Sequence, residues 1–307
     1  MAGVLDAIGN TPIVELCRIR PARGARLMVK LESANPTGSM KDRIALAMVT
    51  KAAADGRLPA GGQVVEYTGG STGMALAFVC AARGYRCTLV SSDAFSDEKI
   101  TGMAALGANV VIVPSERKRI TAELIREMIA TAKRLAQEPG SYWTDQLNNH
   151  DGETGYHPLG EEIWSQTHGR VAAFVQSVGT AHSLHGTAEV LRDHRRDVRI
   201  VAVEPAESPV LSTGRTGGHR IEGIGLGFVP PMWRGEQVDE IVQVSSDEAM
   251  AMARRLAREE GLFAGTSSGA NVVAALRIAE GLREDEVVVT LAVDSGLKYL
   301  STEQYSR

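Results

Sequence analysis

Short runs of apolar, β-branched residues alternate with longer stretches of helical periodicity along almost the whole of this 307-residue chain. Several of these runs are nearly continuous in apolar residues, which is typical of strands that a parallel sheet buries on both faces. The alternation therefore predicts an α/β fold in which helices cover both faces of open, mostly parallel sheets. Strands are predicted for residues 27–31, 64–67, 87–91, 109–114, 172–177, 200–204, 240–244 and 286–292.

Helices are predicted between these strands, and most of them carry a start signal. A hydroxyl side chain just before a helical stretch can accept a backbone N–H, so four such residues are predicted to be caps: Ser39, Ser96, Thr121 and Ser246. The stretches that follow them end near residues 54, 107, 137 and 260. Two further helices, 74–82 and 184–194, follow turns rich in small and hydroxyl residues.

Composition and charge argue against several classes of function. A formal net charge of −4 offers no general attraction to nucleic acid or to a membrane surface. No apolar run approaches the roughly 20 residues that span a bilayer, and residues 1–10 lack the pattern of a signal peptide. Three cysteines without CxxC spacing suit a reducing compartment, so a cytoplasmic location is expected. The seven histidines form neither HExxH nor a Cys/His cluster, so no metal site is predicted.

A turn at residues 35–40 precedes Lys41, which falls in the first turn of a predicted helix. A helix N-terminus carries partial positive charge, so a lysine is electrostatically disfavoured there. The same placement favours the neutral amine, which is the form that attacks an aldehyde to give a Schiff base. From position alone, a solvated surface lysine remains the alternative.

Three other strand-to-helix turns could bind anions, because backbone N–H groups point outward at a helix start. Residues 66–73 contain Thr-Gly-Gly-Ser-Thr-Gly, which matches neither GxGxxG nor a P-loop. Residues 177–183 place three hydroxyls and a run of amides before a helix. Residues 265–270 contain Thr-Ser-Ser, whose hydroxyls could equally be helix caps alone.

Taken in this order, the four turns resemble those of the cysteine synthase family of fold-type II pyridoxal phosphate enzymes. The resemblance extends along nearly the whole chain. Further similar stretches are Ile-Gly-Asn-Thr-Pro at 8–12, Glu-Pro at 204–205, residues 219–230, Asp-Ser-Gly at 294–296 and residues 299–302.

The resemblance implies two open αβα lobes with the cofactor, pyridoxal 5′-phosphate, in the cleft between them. Residues 40–145 would form the smaller, mobile lobe, and residues 1–39 with 146–307 the larger, cofactor-binding lobe. It also implies a homodimer.

The resemblance also implies roles for particular residues. Lys41 would carry the cofactor as a Schiff base and shuttle the α-proton of the substrate. The cofactor would further be bound by Ser71, by a phosphate loop and by a hydroxyl at the pyridine nitrogen. The phosphate loop would be Gly179, Thr180, Ala181, His182 and Ser183, and the hydroxyl would be that of Ser267. The substrate carboxylate would be bound by Thr68, Gly69, Gly70, Ser71, Thr72 and Gln146.

Three departures from the family pattern cluster at these positions. The family usually has Thr-Ser-Gly-Asn-Thr-Gly in the substrate loop, so Gly69 lacks a hydroxyl and Ser71 is shorter than the asparagine it replaces. The family's phosphate loop usually reads Gly-Thr-Gly-Gly-Thr, but Ala181 and His182 replace the two later glycines here. Either these two residues have negative φ or the loop has changed shape. His182 could also add a donor near the phosphate or the entering nucleophile.

The expected reaction is β-replacement on a serine-derived amino acid, such as O-acetylserine or O-phosphoserine, by a sulfur or other small nucleophile. The partners would be these small molecules, with no nucleic acid and no membrane. β-Elimination or dehydration of serine or threonine is the alternative within the same chemistry. A catalytically weak relative that binds a partner protein is the alternative from another class.

Overall fold

The computed structural model describes residues 3–21, 23–117 and 120–305, and the chain forms two compact α/β units. The first unit contains the described residues of 1–8, 35–155 and 298–307, and the second contains those of 9–34 and 156–297. The predicted smaller lobe lies within the first unit. Its mobility and the assignment of the cofactor to the larger lobe stay predictions, because compactness says nothing about either.

Ten strands and ten α-helices are present in the described ranges. The strands are β1 (Ile13–Glu15), β2 (Arg26–Leu31), β3 (Gln63–Tyr67), β4 (Arg86–Ser92), β5 (Asn109–Val113), β6 (Ser141–Trp143), β7 (Val171–Ser177), β8 (Arg199–Pro205), β9 (Glu240–Val244) and β10 (Val287–Ala292). The helices are α1 (Lys41–Ala54), α2 (Ser71–Arg83), α3 (Asp97–Ala105), α4 (Ala122–Leu135), α5 (Asp151–Thr154), α6 (His157–Gln166), α7 (His182–His194), α8 (Val210–Thr213), α9 (Ser246–Arg255) and α10 (Thr266–Ala279).

The sheet of the first unit contains four parallel strands in the order β5, β4, β3, β6. Every residue of β3 is buried, and so is all of β4 except its first residue. The apolar residues in the middle of each strand, Val64 and Val65 in β3 and Leu89 and Val90 in β4, suit this burial. The chain leaves the carboxyl end of β3 and enters α2, which packs against α1. Ligands of open α/β sheets bind at such carboxyl ends.

The sheet of the second unit has the order β1, β2, β10, β7, β8, β9, and only β1 runs antiparallel to its neighbour. The two central strands, β10 and β7, are completely buried. The chain leaves β7 through a short turn into α7. Helix α10 lies close to α9, since a Cβ added to Gly269 would lie 2.0 Å from the carbonyl oxygen of Ala249.

The predicted α/β fold with open, mostly parallel sheets is confirmed. All eight predicted strands are present, with ends within one residue of the prediction. The short strands β1 and β6 were not predicted. Each has three residues, and β6 lies in the stretch between 137 and 170 for which no strand was expected.

Three of the four predicted helix caps are wrong, and for α1 the reason is that Met40, not Ser39, stands at the N-cap and no side chain caps it. Ser245, not Ser246, caps α9, because its hydroxyl accepts the N–H of Glu248 at 3.3 Å. Ser96 precedes α3, but its hydroxyl donates to the carbonyl oxygen of Lys298 at 3.0 Å and does not cap the helix. The predicted Thr121 cap is confirmed, with its hydroxyl 3.2 Å from the N–H nitrogen of Leu124.

Candidate active site

Lys41 is the first residue of α1 and is half-buried, so the prediction that it lies in the first helical turn is confirmed. The hydroxyl of Ser39 accepts the N–H of Lys41 at 3.2 Å, but Met40, not Ser39, stands at the N-cap of the helix and no side chain caps it. Gly38 has a φ of 72° and donates to the carbonyl oxygen of Asn35 at 2.7 Å. A glycine is needed at that point of the turn because other residues rarely adopt this conformation.

The turn before Lys41 is also bound to the helix by a buried carboxylate. Asp42 accepts the N–H of Thr37 at 2.8 Å and also accepts the Thr37 hydroxyl. A carboxylate in the first turn is favourable because it faces the positive end of the helix dipole. Ser39 before Lys41 and Asp42 after it therefore both hold the backbone at this point.

Thr68 organises the turn between β3 and α2. Its buried hydroxyl accepts the N–H of Gly70 at 2.9 Å and the N–H of Gly73 at 3.0 Å. The N–H groups of Gly69 and Thr72 donate to no acceptor within the described ranges. This turn therefore offers unused donors at a helix start, where an anion such as a carboxylate binds favourably.

Gly69, one of the positions that departs from the family pattern, lies against an aromatic ring. A Cβ added to Gly69 would lie 2.9 Å from the nearest carbon of Phe95. Observed Cβ contacts are essentially never that short, so a serine at residue 69 would require the Phe95 ring to move. The absence of a side chain at residue 69 therefore allows the Phe95 ring to pack where it does.

Gln146 and Thr72 are brought together in the first unit, as their predicted shared role requires. The hydroxyl of Thr72 donates to Oε1 of Gln146 at 2.8 Å, and Nε2 of Gln146 donates to the carbonyl oxygen of Tyr67 at 2.9 Å. Ser71 begins α2 beside Thr72. The predicted substrate-binding residues therefore form one connected group.

Behind this group lies Glu66, a completely buried carboxylate that sequence reasoning missed. It accepts the N–H of Gln146 at 2.9 Å, the N–H of Tyr67 at 2.9 Å and the hydroxyl of Thr144. Burial raises the pKa of Glu66 to about 7, although these three donors act in the opposite direction.

The free energy of unfolding is expected to depend on pH through Glu66. Its pKa is about 7 when folded and 4.5 ordinarily, so between these values the folded protein holds a proton that the unfolded chain has released. Stability from this group therefore falls as pH rises through that window, by about 3 kcal/mol in total. Glu66→Gln does not ionise, so its stability relative to the parent protein should rise by this amount between pH 4.5 and 8. Denaturant titrations at both pH values test this, and an unchanged difference would contradict it.

The second unit contains the predicted phosphate loop. A Cβ added to Gly179 would lie 2.5 Å from the carbonyl oxygen of Gly223, so only glycine fits there without backbone movement. The N–H groups of Thr180, Ala181 and Ser183 donate to no acceptor in the described part of the chain. Since they lie at the start of the 13-residue helix α7, they form a cradle suited to a phosphate.

Ala181 adopts the conformation that a glycine would take. Its φ is 73° and its ψ is −15°, whereas His182 is not among the residues with positive φ. The alternative of a negative φ is therefore wrong for Ala181, whose left-handed conformation costs about 1 kcal/mol.

Substitutions at Ala181 are expected to change the free energy of unfolding according to how well the new residue tolerates this backbone conformation. Ala181→Gly is expected to raise the free energy of unfolding by up to about 1 kcal/mol, less the entropy that glycine adds to the unfolded chain. Ala181→Val is expected to lower it by more than about 1 kcal/mol, because a β-branched residue tolerates this conformation least. Urea denaturation of the three proteins measures both effects. A valine variant as stable as the parent would contradict the strain.

His182 and Ser183 have their side chains engaged within the second unit. Nδ1 of His182 lies 2.8 Å from the hydroxyl oxygen of Thr180, and the ring is completely buried. The hydroxyl of Ser183 accepts Nε2 of Gln176 at 3.0 Å. The expectation that His182 donates to a phosphate or to a nucleophile stays a prediction.

Ser267 lies in the first turn of α10 and is 3% exposed. Its hydroxyl forms no hydrogen bond with any residue that the structure describes. Nearby, Oδ1 of Asn271 accepts the N–H of Ser177 at 2.7 Å and Nδ2 donates to the carbonyl oxygen of Leu291 at 3.1 Å. Asn271 thereby ties α10 to the end of β7, a role that no sequence pattern indicated.

The predicted site residues thus fall into two sets. Lys41, Gln146 and residues 68–72 belong to the first unit, and residues 179–183 and Ser267 belong to the second. Residues 68–72 and 179–183 lie between a buried strand and a helix, Lys41 and Ser267 lie in the first turns of α1 and α10, and Gln146 lies in the loop after β6. Among the described residues, no group of His, Cys, Asp and Glu could hold a metal ion.

Comparison with known proteins identifies the class to which this chain belongs. Residues 4–294 match the family described as pyridoxal-phosphate dependent enzyme, so the chain is a member of that family. A cysteine synthase from Staphylococcus aureus is 41% identical over 306 residues, which are 99% of this chain and 96% of the relative.

Solved structures of pyridoxal phosphate enzymes are also similar to this chain in fold and sequence. The structure of an O-ureido-L-serine synthase has a TM-score of 0.93 and 38% identity, covering 99% of this chain and 95% of that one. A cysteine synthase (OASS) from Entamoeba histolytica has a TM-score of 0.91 and 36% identity, covering 99% and 90%. The predictions of a pyridoxal phosphate enzyme of the cysteine synthase type, with that fold and that cofactor, are confirmed. No helix in the described ranges is both long and apolar enough to cross a membrane.

Groups within each unit fit separate parts of the cofactor. The N–H groups at the start of α7 suit its phosphate, and the unbonded hydroxyl of Ser267 suits the nitrogen of its ring. Lys41 supplies a primary amine for its aldehyde.

Proposed function

We propose that this enzyme replaces the β-substituent of a serine-derived amino acid with a sulfur or other small nucleophile. Full-length similarity to cysteine synthases supports the reaction class. The observation that carries the proposal is the presence of backbone N–H groups without an acceptor among the described residues in both units, those of Gly69 and Thr72 in the first and those of Thr180, Ala181 and Ser183 in the second. One set suits the carboxylate of an amino acid, and the other suits the phosphate of the cofactor.

Each residue then has a distinct task. When bound, pyridoxal phosphate withdraws electrons from the α-carbon of the substrate and so makes its proton removable. Lys41 would hold the aldehyde carbon of the cofactor through its amine, and after the substrate amine had displaced it, the released Lys41 amine would take the α-proton and later return a proton. Residues 179–183 hold the phosphate through backbone N–H groups. Residues 68–72 and Gln146 bind and orient the substrate carboxylate.

Ser267 influences which reaction follows. Its neutral hydroxyl would face the pyridine nitrogen, where a carboxylate would hold a full positive charge. Electron withdrawal would therefore be weaker, which would favour rapid loss of a β-substituent over racemisation or transamination. Ser71 is shorter than the asparagine usual in the family, so a bridging water would complete a contact with the 3′ oxygen.

The donor and the nucleophile can be identified directly. Purified protein with its cofactor is incubated with O-acetylserine, O-phosphoserine or serine, with and without sulfide. Cysteine is expected from one of the two esters, and only when sulfide is present. Pyruvate formed from serine regardless of nucleophile would support elimination or dehydration instead. A protein that takes up no pyridoxal phosphate would contradict the proposal and support a partner-binding relative.

We also propose a homodimer in the cytoplasm, as the family resemblance implies. Light scattering coupled to gel filtration measures the oligomeric state. A single species of 32.8 kDa would contradict the dimer.

A further inference from the structure

The side chain of Gln146 is held at both ends of its amide. Thr72 donates to Oε1 at 2.8 Å, Nε2 donates to the carbonyl oxygen of Tyr67 at 2.9 Å, and the residue is only 7% exposed. An amide has two N–H donors and two acceptor lone pairs, so each end retains one for a substrate. How well this amide can bind a substrate depends on how firmly the backbone of Gln146 is held.

That backbone is in a conformation that needs support. Asp145, between Thr144 and Gln146, has a φ of 42°, in the left-handed region that costs a non-glycine residue about 1 kcal/mol. Oε2 of Glu66 accepts the N–H of Gln146 and the hydroxyl of Thr144, one on each side of this bend. A single carboxylate therefore bridges the bend.

The other carboxylate oxygen of Glu66 contacts Tyr67, which is the second hydrogen-bond partner of the Gln146 amide. Oε1 of Glu66 accepts the N–H of Tyr67, the residue whose carbonyl oxygen accepts Nε2 of Gln146. Glu66 thus contacts both segments that meet at the Gln146 amide.

A buried carboxylate at residue 66 lowers the free energy of unfolding. No cation in the described ranges forms an ion pair with it, and the nearby Asp145 opposes its ionisation. Burying a carboxylate without a cation destabilises a fold, and a neutral residue of similar size would cost less. Titratable groups with such perturbed environments concentrate at functional sites.

We propose that Glu66 is a positioning residue for substrate binding, whose carboxylate fixes residues 144–146 and so aims the Gln146 amide at the substrate carboxylate. This inference rests on the proposed role of Gln146 in the reaction. The ionised form performs the task, since only a carboxylate offers acceptors to all three donors. The amide of Glu66→Gln would turn an NH₂ group towards one of them.

The test separates binding from chemistry in the loaded enzyme. In Glu66→Gln, the KM for the donor amino acid is expected to rise at least about tenfold, while kcat changes less than about threefold. The Kd for L-alanine, which has no leaving group, should rise by the same factor when measured from the absorbance of the bound cofactor. Thr144→Val removes one donor to the carboxylate and should raise this Kd about two- to fivefold, which also provides for the case that Glu66→Gln does not fold.

Glu32→Gln is the matched control. Glu32 is also a completely buried carboxylate that accepts a threonine hydroxyl, that of Thr11 at 2.7 Å, but it belongs to the second unit. Its KM and its Kd for L-alanine should equal those of the parent protein. A similar rise in this control would assign the effect to the loss of any buried carboxylate.

A pH series gives a readout that a merely structural role would not change. Relative to Glu66→Gln, L-alanine binding to the parent protein should weaken as pH falls through about 7, with Asp145 and Tyr67 as the neighbouring titratable groups. A parent protein that binds neither cofactor nor L-alanine would overturn the proposed function. A functional parent with unchanged Kd in Glu66→Gln or Thr144→Val would overturn only the role of Glu66. An unchanged Kd in Gln146→Ala would overturn the role of Gln146 on which it rests.

Discussion

Replacing Lys41 with alanine is expected to lower kcat at least about a thousandfold. The variant loses the covalent attachment point of the cofactor and also the amine that moves the α-proton, and positioned acid–base groups alone contribute about 10² to 10⁴. Turnover of the donor ester with sulfide measures the loss. The absorbance band of the lysine-bound cofactor should disappear as well.

The fold should survive this substitution. Alanine is the best helix former, and removing a positive charge from the first turn of α1 relieves repulsion with the helix dipole. The free energy of unfolding of the apoprotein should therefore equal or exceed that of the parent. Lys51→Ala, an exposed lysine on the same helix, is the control and should leave kcat unchanged. Activity within tenfold of the parent in Lys41→Ala would exclude the assigned role.

Replacing Gly179 with alanine is expected to weaken cofactor binding by at least about tenfold. The new Cβ would lie 2.5 Å from the carbonyl oxygen of Gly223, and a backbone atom cannot swing away as a flexible side chain can. The phosphate loop must therefore shift, and hydrogen bonds to a charged group contribute about 1.5 to 3 kcal/mol each. Titration of the apoprotein with pyridoxal phosphate measures the affinity.

Gly218→Ala provides the comparison for Gly179→Ala, because a Cβ at Gly218 meets nothing within 4 Å. Both glycines belong to the second unit. The Gly218 variant should bind the cofactor as the parent protein does. Equal affinity in both variants would show that the loop is not the phosphate site.

The strands were predictable because burial on both faces leaves a direct imprint on composition. Residues 171–177 and 287–292 are buried without interruption, and their sequences are almost uniformly apolar or small. The three residues of β6, Ser-Tyr-Trp, are too few to show a period, and only the neighbouring strand β3 makes them a strand. A predicted cap was wrong where the hydroxyl bonds to a residue distant in sequence, as the Ser96 hydroxyl does with the carbonyl oxygen of Lys298.

The candidate site was predictable as far as it consists of local turns. Glycines, hydroxyls and Lys41 all lie at helix starts that a strand-to-helix pattern reveals. Glu66 and Asn271 could not be found in the same way. Their significance depends on partners 78 to 94 residues away in the chain, and no spacing rule connects them.

The contact between Gly69 and Phe95 restricts the order in which substitutions can accumulate in this loop. A serine arriving at residue 69 first would clash with the aromatic ring, whereas a smaller residue arriving at 95 first would leave only extra space. The two positions are therefore epistatic, and one order is far easier than the other. A loop with serine at residue 69, placed in this protein without a change at residue 95, would therefore require the Phe95 ring to move.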